Sequence, residues 1–113
     1  KPNREEFQES GDWGRVHELH VTDGSNPVQV YLQGQHTHDI VPPSVMEVNP
    51  IGCGDCYLAG LAHGFLEGWS LERRYRLASA CGAANALKAD VAQICPEDAF
   101  SLMNQVEIKP ILR

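Results

Sequence analysis

The spacing of apolar positions changes near residue 50. Before it the period is two. Val28, Val30 and Leu32 alternate with Gln29, Tyr31 and Gln33, as in a half-buried strand. Gln33-Gly34-Gln35 reads as a turn, and His36 to Val41 as the returning arm of a hairpin. Val16 to Thr22 predicts another strand, ended by the turn formers Asp23-Gly24-Ser25-Asn26-Pro27. Pro42-Pro43 breaks the pattern, and Val45 to Val48 predicts one more short strand before Asn49-Pro50. After residue 50 the spacing becomes helical. Leu58, Leu61, Ala62 and Phe65 form one stripe, with Gly68 as its stop. Ser70 is placed to cap a second helix, with Glu72 favourable in its first turn. That helix carries Leu77, Ala80, Cys81, Ala84 and Leu87 on one stripe, small enough for close packing. Pro96 suits the first position of a third helix, with stripe Ala99, Leu102, Met103 and Val106, and Val106 to Ile108 closes as a strand. Strands, then strand–turn–helix, then helices predict an α/β layer fold containing part of a sheet. No linker or repeat divides residues 1–113: the chain reads as one domain, strand-rich over 16–50 and helical over 51–106.

Composition narrows the function classes. With 42% apolar and 21% charged residues, the chain is neither disordered nor collagen-like. Nine Lys+Arg against fifteen Asp+Glu give a net charge of −6, which lacks the basic field that nucleic acid requires. No apolar run approaches the ~20 residues of a membrane span. The opening Lys1-Pro2-Asn3-Arg4-Glu5-Glu6 has no apolar signal stretch. Cys53, Cys56, Cys81 and Cys95 then read as reduced thiols, and a cytoplasmic protein is expected. Residues 1–50 carry three positive and eight negative charges, and residues 51–113 six and seven, so an anionic ligand is expected on the second half.

The stretch that carries chemistry is Val48-Asn49-Pro50-Ile51-Gly52-Cys53-Gly54-Asp55-Cys56. A strand ends, a glycine-rich turn follows, and a helix starts at about Cys53. Gly52 and Gly54 let successive N–H groups converge on one point, and the helix N-terminus adds partial positive charge there. This makes an anion site without any Lys or Arg. Asp55 puts a carboxylate in the first helical turn beside it. Asp is a common choice in a helix's first turn, so capping is one reading. The other is a general base for a hydroxyl attacking a phosphoryl group.

Asn49-Pro50-Ile51-Gly52-Cys53-Gly54-Asp55, continuing through Ala59-Gly60, resembles the second signature of the PfkB/ribokinase family of carbohydrate kinases. Ala78-Ser79-Ala80-Cys81-Gly82-Ala83-Ala84-Asn85-Ala86 is similar to the 1-phosphofructokinase and tagatose-6-phosphate kinase branch. Lys1-Pro2-Asn3-Arg4-Glu5-Glu6 resembles its Lys-Pro-Asn-x-x-Glu segment, and Val21-Thr22-Asp23-Gly24 its nucleotide-loop strand. The resemblance implies a ribokinase-like, Rossmann-like three-layer α/β fold, present here as its C-terminal part with a truncated sheet. It implies ATP-dependent phosphorylation of a sugar or sugar phosphate, with Asp55 as base and the backbone of Gly52, Cys53 and Gly54 as anion hole. Thr22 and Gly24 would lie along the nucleotide and Asn85 near its adenine. Asn3 and Glu6 would act on Mg²⁺ indirectly, through water and phosphates.

The departures from the pattern are equally specific. Pro27 stands where the family's nucleotide loop has a second Gly, and only Phe7 to Arg15 separate Glu6 from Val16. The sugar-binding half of the family has no counterpart here. Exposed sheet edge and helix faces then favour a homo-oligomer, a dimer first.

Other motifs carry less. Cys53-Gly54-Asp55-Cys56 has C-x-x-C spacing, but Cys81 and Cys95 make no second close pair for zinc. His36 and His38 would share one face of a strand, best read as a solvated face; His17 and His20 have no convincing partner. Gly60-x-x-x-Gly64 reads as close packing of a soluble helix, and Arg73, Arg74 and Arg76 as a solvated face.

Overall fold

A computed structural model describes residues 1–2, 6, 8, 16–24, 26–45, 53–86 and 96–111. Asn3, Gly52, Leu87, Cys95 and most of the expected strand at Val45–Val48 lie outside the described residues. Four strands, β1 (Glu18–Asp23), β2 (Asn26–Leu32), β3 (Gln35–Val41) and β4 (Glu107–Pro110), form one antiparallel sheet in chain order. Helices α1 (Cys53–Leu66), α2 (Leu71–Ala86) and α3 (Pro96–Met103) come between β3 and β4. Val28, Val30 and Ile40 of the sheet join Tyr57, Tyr75, Leu77, Ala80 and Leu102 of the helices in one core cluster.

The β2–β3 turn is tighter than its composition suggests. Gln33 (φ 52°) and Gly34 (φ 82°) both take left-handed backbone, the two-residue connection that matches strand twist. At the β1–β2 turn, Asp23 pairs with Asn26, so Asn26 and Pro27 begin β2 instead of extending the turn. In α1 the end is a Schellman closure. Trp69 N–H donates to Gly64 C=O at 2.9 Å and Gly68 N–H to Phe65 C=O at 3.1 Å, with Gly68 at φ 70°. Ser70 Oγ accepts from Arg73 N–H at 3.3 Å, the cap expected for α2.

Three expectations are corrected. The first concerns α1, whose apolar stripe meets the core at Leu61 alone of its four residues. Leu58 and Phe65 are 50% and 70% exposed, whereas Cys56, Tyr57, Gly60 and Gly64 are buried. The competing term is distance of approach. A Cβ on Gly60 would meet Cys81 Sγ at 3.0 Å and Ala78 Cα and Leu77 O at 3.1 Å, so α2 packs on the glycine face. Period alone located the helix but chose the wrong side of it.

The second correction is to His36 and His38. A register shift between Val30 and Tyr31, which pair with His38 and His36, makes Thr37 an extra residue and reverses the alternation. His38 meets the Tyr75 ring edge-on at 5.8 Å on the helix side. His36 instead stacks on Tyr31 at 5.1 Å and bonds Asp39 Oδ1 at 2.7 Å.

The third is His20, which is 2% exposed and well partnered. Its Nδ1 lies 2.6 Å from Tyr57 Oη, and its ring meets the Tyr57 and Tyr75 rings edge-on at 5.6 and 4.9 Å. Its Nε2 is 3.4 Å from Glu18 Oε1, an ion-pair distance without hydrogen-bond geometry. Tyr75 Oη donates to the same Glu18 oxygen at 2.5 Å. The arginines of α2 are also committed. Arg73 lies 3.7 Å over the Trp69 ring, Arg74 donates to Trp69 C=O at 3.1 Å, and Arg76 donates to Val106 C=O.

The Glu18 cluster sets a pH dependence. The His20 ring first, then the Tyr75 hydroxyl and the Arg74 charge, hold the Glu18 carboxyl at about 2, against burial, which raises it. The unfolded chain binds this proton near 4.5, so the stabilisation is complete above that pH and is lost as pH falls from about 4.5 towards 2. Urea unfolding from pH 5 to 2.5 should show a steeper loss for the wild type than for Glu18→Gln. Equal slopes would contradict the assignment.

Candidate functional site

Cys53 opens α1, half-buried; Gly54 is half-buried and Asp55 is exposed in the first turn. The helix starts here because Asp55 in its first turn complements the positive end of the helix, while Cys56 and Tyr57 anchor the turn in the core. Asn85, fully buried near the end of α2, donates from Nδ2 to Cys53 Sγ at 3.3 Å. A Cβ on Gly82 would stand 3.3 Å from Cys53 C=O, so α2 backs directly onto this turn.

Residues 1 and 2 reach both β1 and the start of α1. Thr22 N–H donates to Pro2 C=O at 3.1 Å, which fixes the segment beside β1. The Lys1 ammonium then reaches α1, with Nζ 3.0 Å from where a Gly54 Cβ would lie. Desolvation lowers the Lys1 α-amino pKa, with the Lys1 side-chain charge adding to it, and Glu6 opposes both. Glu6 therefore acts on the same corner. The site expected to hold no Lys or Arg has a lysine over it. The Lys-Pro-Asn start was the only sequence signal, since Lys1 is remote in sequence from the turn.

The structure thus gathers Cys53, Gly54, Asp55 and Asn85, and links Thr22 to Gly54 through Lys1 and Pro2. Gly24, at φ 57°, ends β1 two residues past Thr22. Among the described residues no three His, Cys, Asp or Glu side chains gather to hold a metal ion. Burial raises the Cys56 thiol and pushes that of Cys81 up to about 11. A helix N-terminus, an ammonium and an adjacent exposed carboxylate suit an anion next to a group that gives up a proton. Among the described residues no helix is long and apolar enough to cross a membrane.

The chain is similar to several known kinases. A maize (Zea mays) inositol 3-kinase is 34% identical over 77 residues, 68% of this chain and 20% of the relative. A tagatose-6-phosphate kinase of Staphylococcus epidermidis is 30% identical over 66 residues, 58% of this chain and 21% of the relative. The chain thus spans about a fifth of the length of these curated relatives. Among solved structures, a Methanocaldococcus jannaschii nucleoside kinase of the ribokinase family superposes with TM-score 0.77 at 21% identity, over 90% of this chain and 38% of the other. The fold is therefore ribokinase-like α/β. The model of the pfkB family carbohydrate kinases matches residues 2–98, and the chain belongs to that family.

Proposed function

We propose that this chain is the nucleotide-side part of an ATP-dependent carbohydrate kinase that phosphorylates a hydroxyl of a sugar or sugar phosphate. The single observation that carries the reading is the convergence of Lys1, the start of α1 and the exposed Asp55 at one corner. Backbone N–H groups at Gly54 and Cys53, with Gly52 before them, hold the charge of the transferring phosphoryl group. The Lys1 ammonium adds a point charge. Asp55 takes the proton of the attacking hydroxyl. Thr22 and Gly24 lie along the nucleotide, and Asn85, which bonds Cys53 Sγ, lies near its adenine. Mg²⁺, when bound with ATP, neutralises phosphate charge. Its contact with Glu6 and Asn3 would run through water and phosphate. Phosphoryl transfer from ATP to tagatose 6-phosphate or fructose 1-phosphate, followed by product phosphate analysis, tests the reading. No transfer from the complete kinase to any sugar or sugar phosphate would overturn it.

A second reading, a non-catalytic nucleotide-binding remnant that pairs with another copy of itself, is favoured by the exposed stripe on α1. Leu58, Leu61, Ala62, Phe65 and Leu66 line a groove of about 330 Å³ edged by Glu18 and Arg74. A second copy would cover it. Sedimentation should give a dimer mass that Phe65→Glu with Leu66→Glu converts to a monomer; a monomeric wild type would contradict this reading.

A further inference from the structure

We propose that Tyr57 and His20 are positioning residues whose buried hydrogen bond holds the first turn of α1 in register with the strand that leads to the nucleotide loop. The inference rests on the phosphate-site reading above and assigns it two further residues. Tyr57 lies two residues past Asp55 on α1, and His20 two residues before Thr22 on β1. They meet at 2.6 Å, with 4% and 2% of their surfaces exposed. This contact joins the side holding the proposed base directly to the side holding the proposed nucleotide residues.

The chemistry of the contact makes it directional. Burial first, then the neighbouring Tyr75 and Glu18, keep the Tyr57 hydroxyl protonated by pushing its pKa well above the ordinary value. Tyr57 Oη then donates to His20 Nδ1, and the ring proton sits on Nε2, facing Glu18 Oε1 at 3.4 Å. Glu18 is held in turn by Tyr75 Oη on α2. Four side chains therefore tie α1, β1 and α2 together at one level of the core. Most of the core around them is aliphatic or alanine, with Cys56 and Cys81 between the helices and buried Asn85 further along α2. Alkyl contacts resist separation but have little orientational preference, whereas a buried hydrogen bond fixes both distance and angle. The Tyr–His pair is the part of this layer that sets the offset between α1 and β1.

The test is calorimetric titration of the full chain with MgADP and with MgATP, beside thermal unfolding of each variant. The wild type should bind MgATP about tenfold more tightly than MgADP, the increment of one charge-assisted contact to the terminal phosphate. Tyr57→Phe keeps the ring and removes the donor. It should leave MgADP affinity unchanged and lose most of the preference for MgATP. His20→Leu should behave the same way, while His20→Gln, whose amide oxygen accepts the Tyr57 hydrogen, should restore the preference. If Tyr57→Phe and His20→Leu unfold at lower temperature yet keep the full MgATP preference, the pair is structural only and the inference fails. A wild type that binds both nucleotides equally, or neither, overturns instead the phosphate-site reading on which it rests.

Discussion

Replacing Asp55 by Asn should reduce phosphoryl transfer by the complete kinase by about 10³-fold while leaving MgATP binding unchanged, since general-base assistance is worth about 10²–10⁴-fold. Asn keeps the size of the side chain and its favourable place in the first helical turn, so α1 should form as before. What it loses is the ability to take a proton. Asp55 is exposed, so the substitution empties no core position and strands no buried partner. Steady-state kinetics with ATP and a sugar phosphate, paired with calorimetry, separates the terms: kcat falls and nucleotide affinity holds. A variant turning over at the wild-type rate would reduce Asp55 to a capping residue. A variant that loses nucleotide affinity as well would place the carboxylate in binding, not proton transfer.

The second large effect is on stability. Gly60→Val should destabilise the fold by about 3 kcal/mol, the upper range for forcing extra carbons into a close-packed contact. For a chain of this size that corresponds to roughly 10 °C in Tm. The cause is local. The new Cβ would meet Ala78 Cα and Leu77 O at 3.1 Å, and these are backbone atoms that move only if α2 moves. Gly60→Ala meets the same atoms, but it recovers about 1 kcal/mol of helix propensity and should cost less. Ala59→Val, on an exposed position of the same helix, should stay within about 0.5 kcal/mol of wild type. Thermal unfolding of the three variants gives the order. A Gly60→Val chain as stable as Ala59→Val would mean that α1 and α2 are not in contact at Gly60.

These two residues also show how much was legible in the sequence. Period and turn formers placed the hairpin, the three helices and the final strand, because burial repeats at two in a strand and near 3.6 in a helix. The start of α1 with Asp55 in its first turn was legible for a similar reason: it depends on neighbours in the chain. The rest depended on residues far apart in sequence. Which face of α1 is buried was decided by the glycine fit against Leu77 and Ala78, and this overrode the stronger apolar stripe of Leu58 and Phe65. The extra residue at Thr37 separated His36 from His38, and no local pattern announces a bulge. His20 found Tyr57 across 37 positions, and Lys1 reached Gly54 only because Pro2 is tied to Thr22. Pairings of that kind leave no periodic trace.

The central claim is that the start of α1 receives the terminal phosphate of ATP. Amide ¹H–¹⁵N shift mapping of the full chain with MgATP and with MgADP tests it most directly. The account predicts that the differences between the two nucleotides concentrate on the amides of Cys53, Gly54 and Asp55, while both nucleotides shift Thr22 and Gly24 alike. Differences that spare the α1 turn, or no change at that turn with either nucleotide, would contradict it.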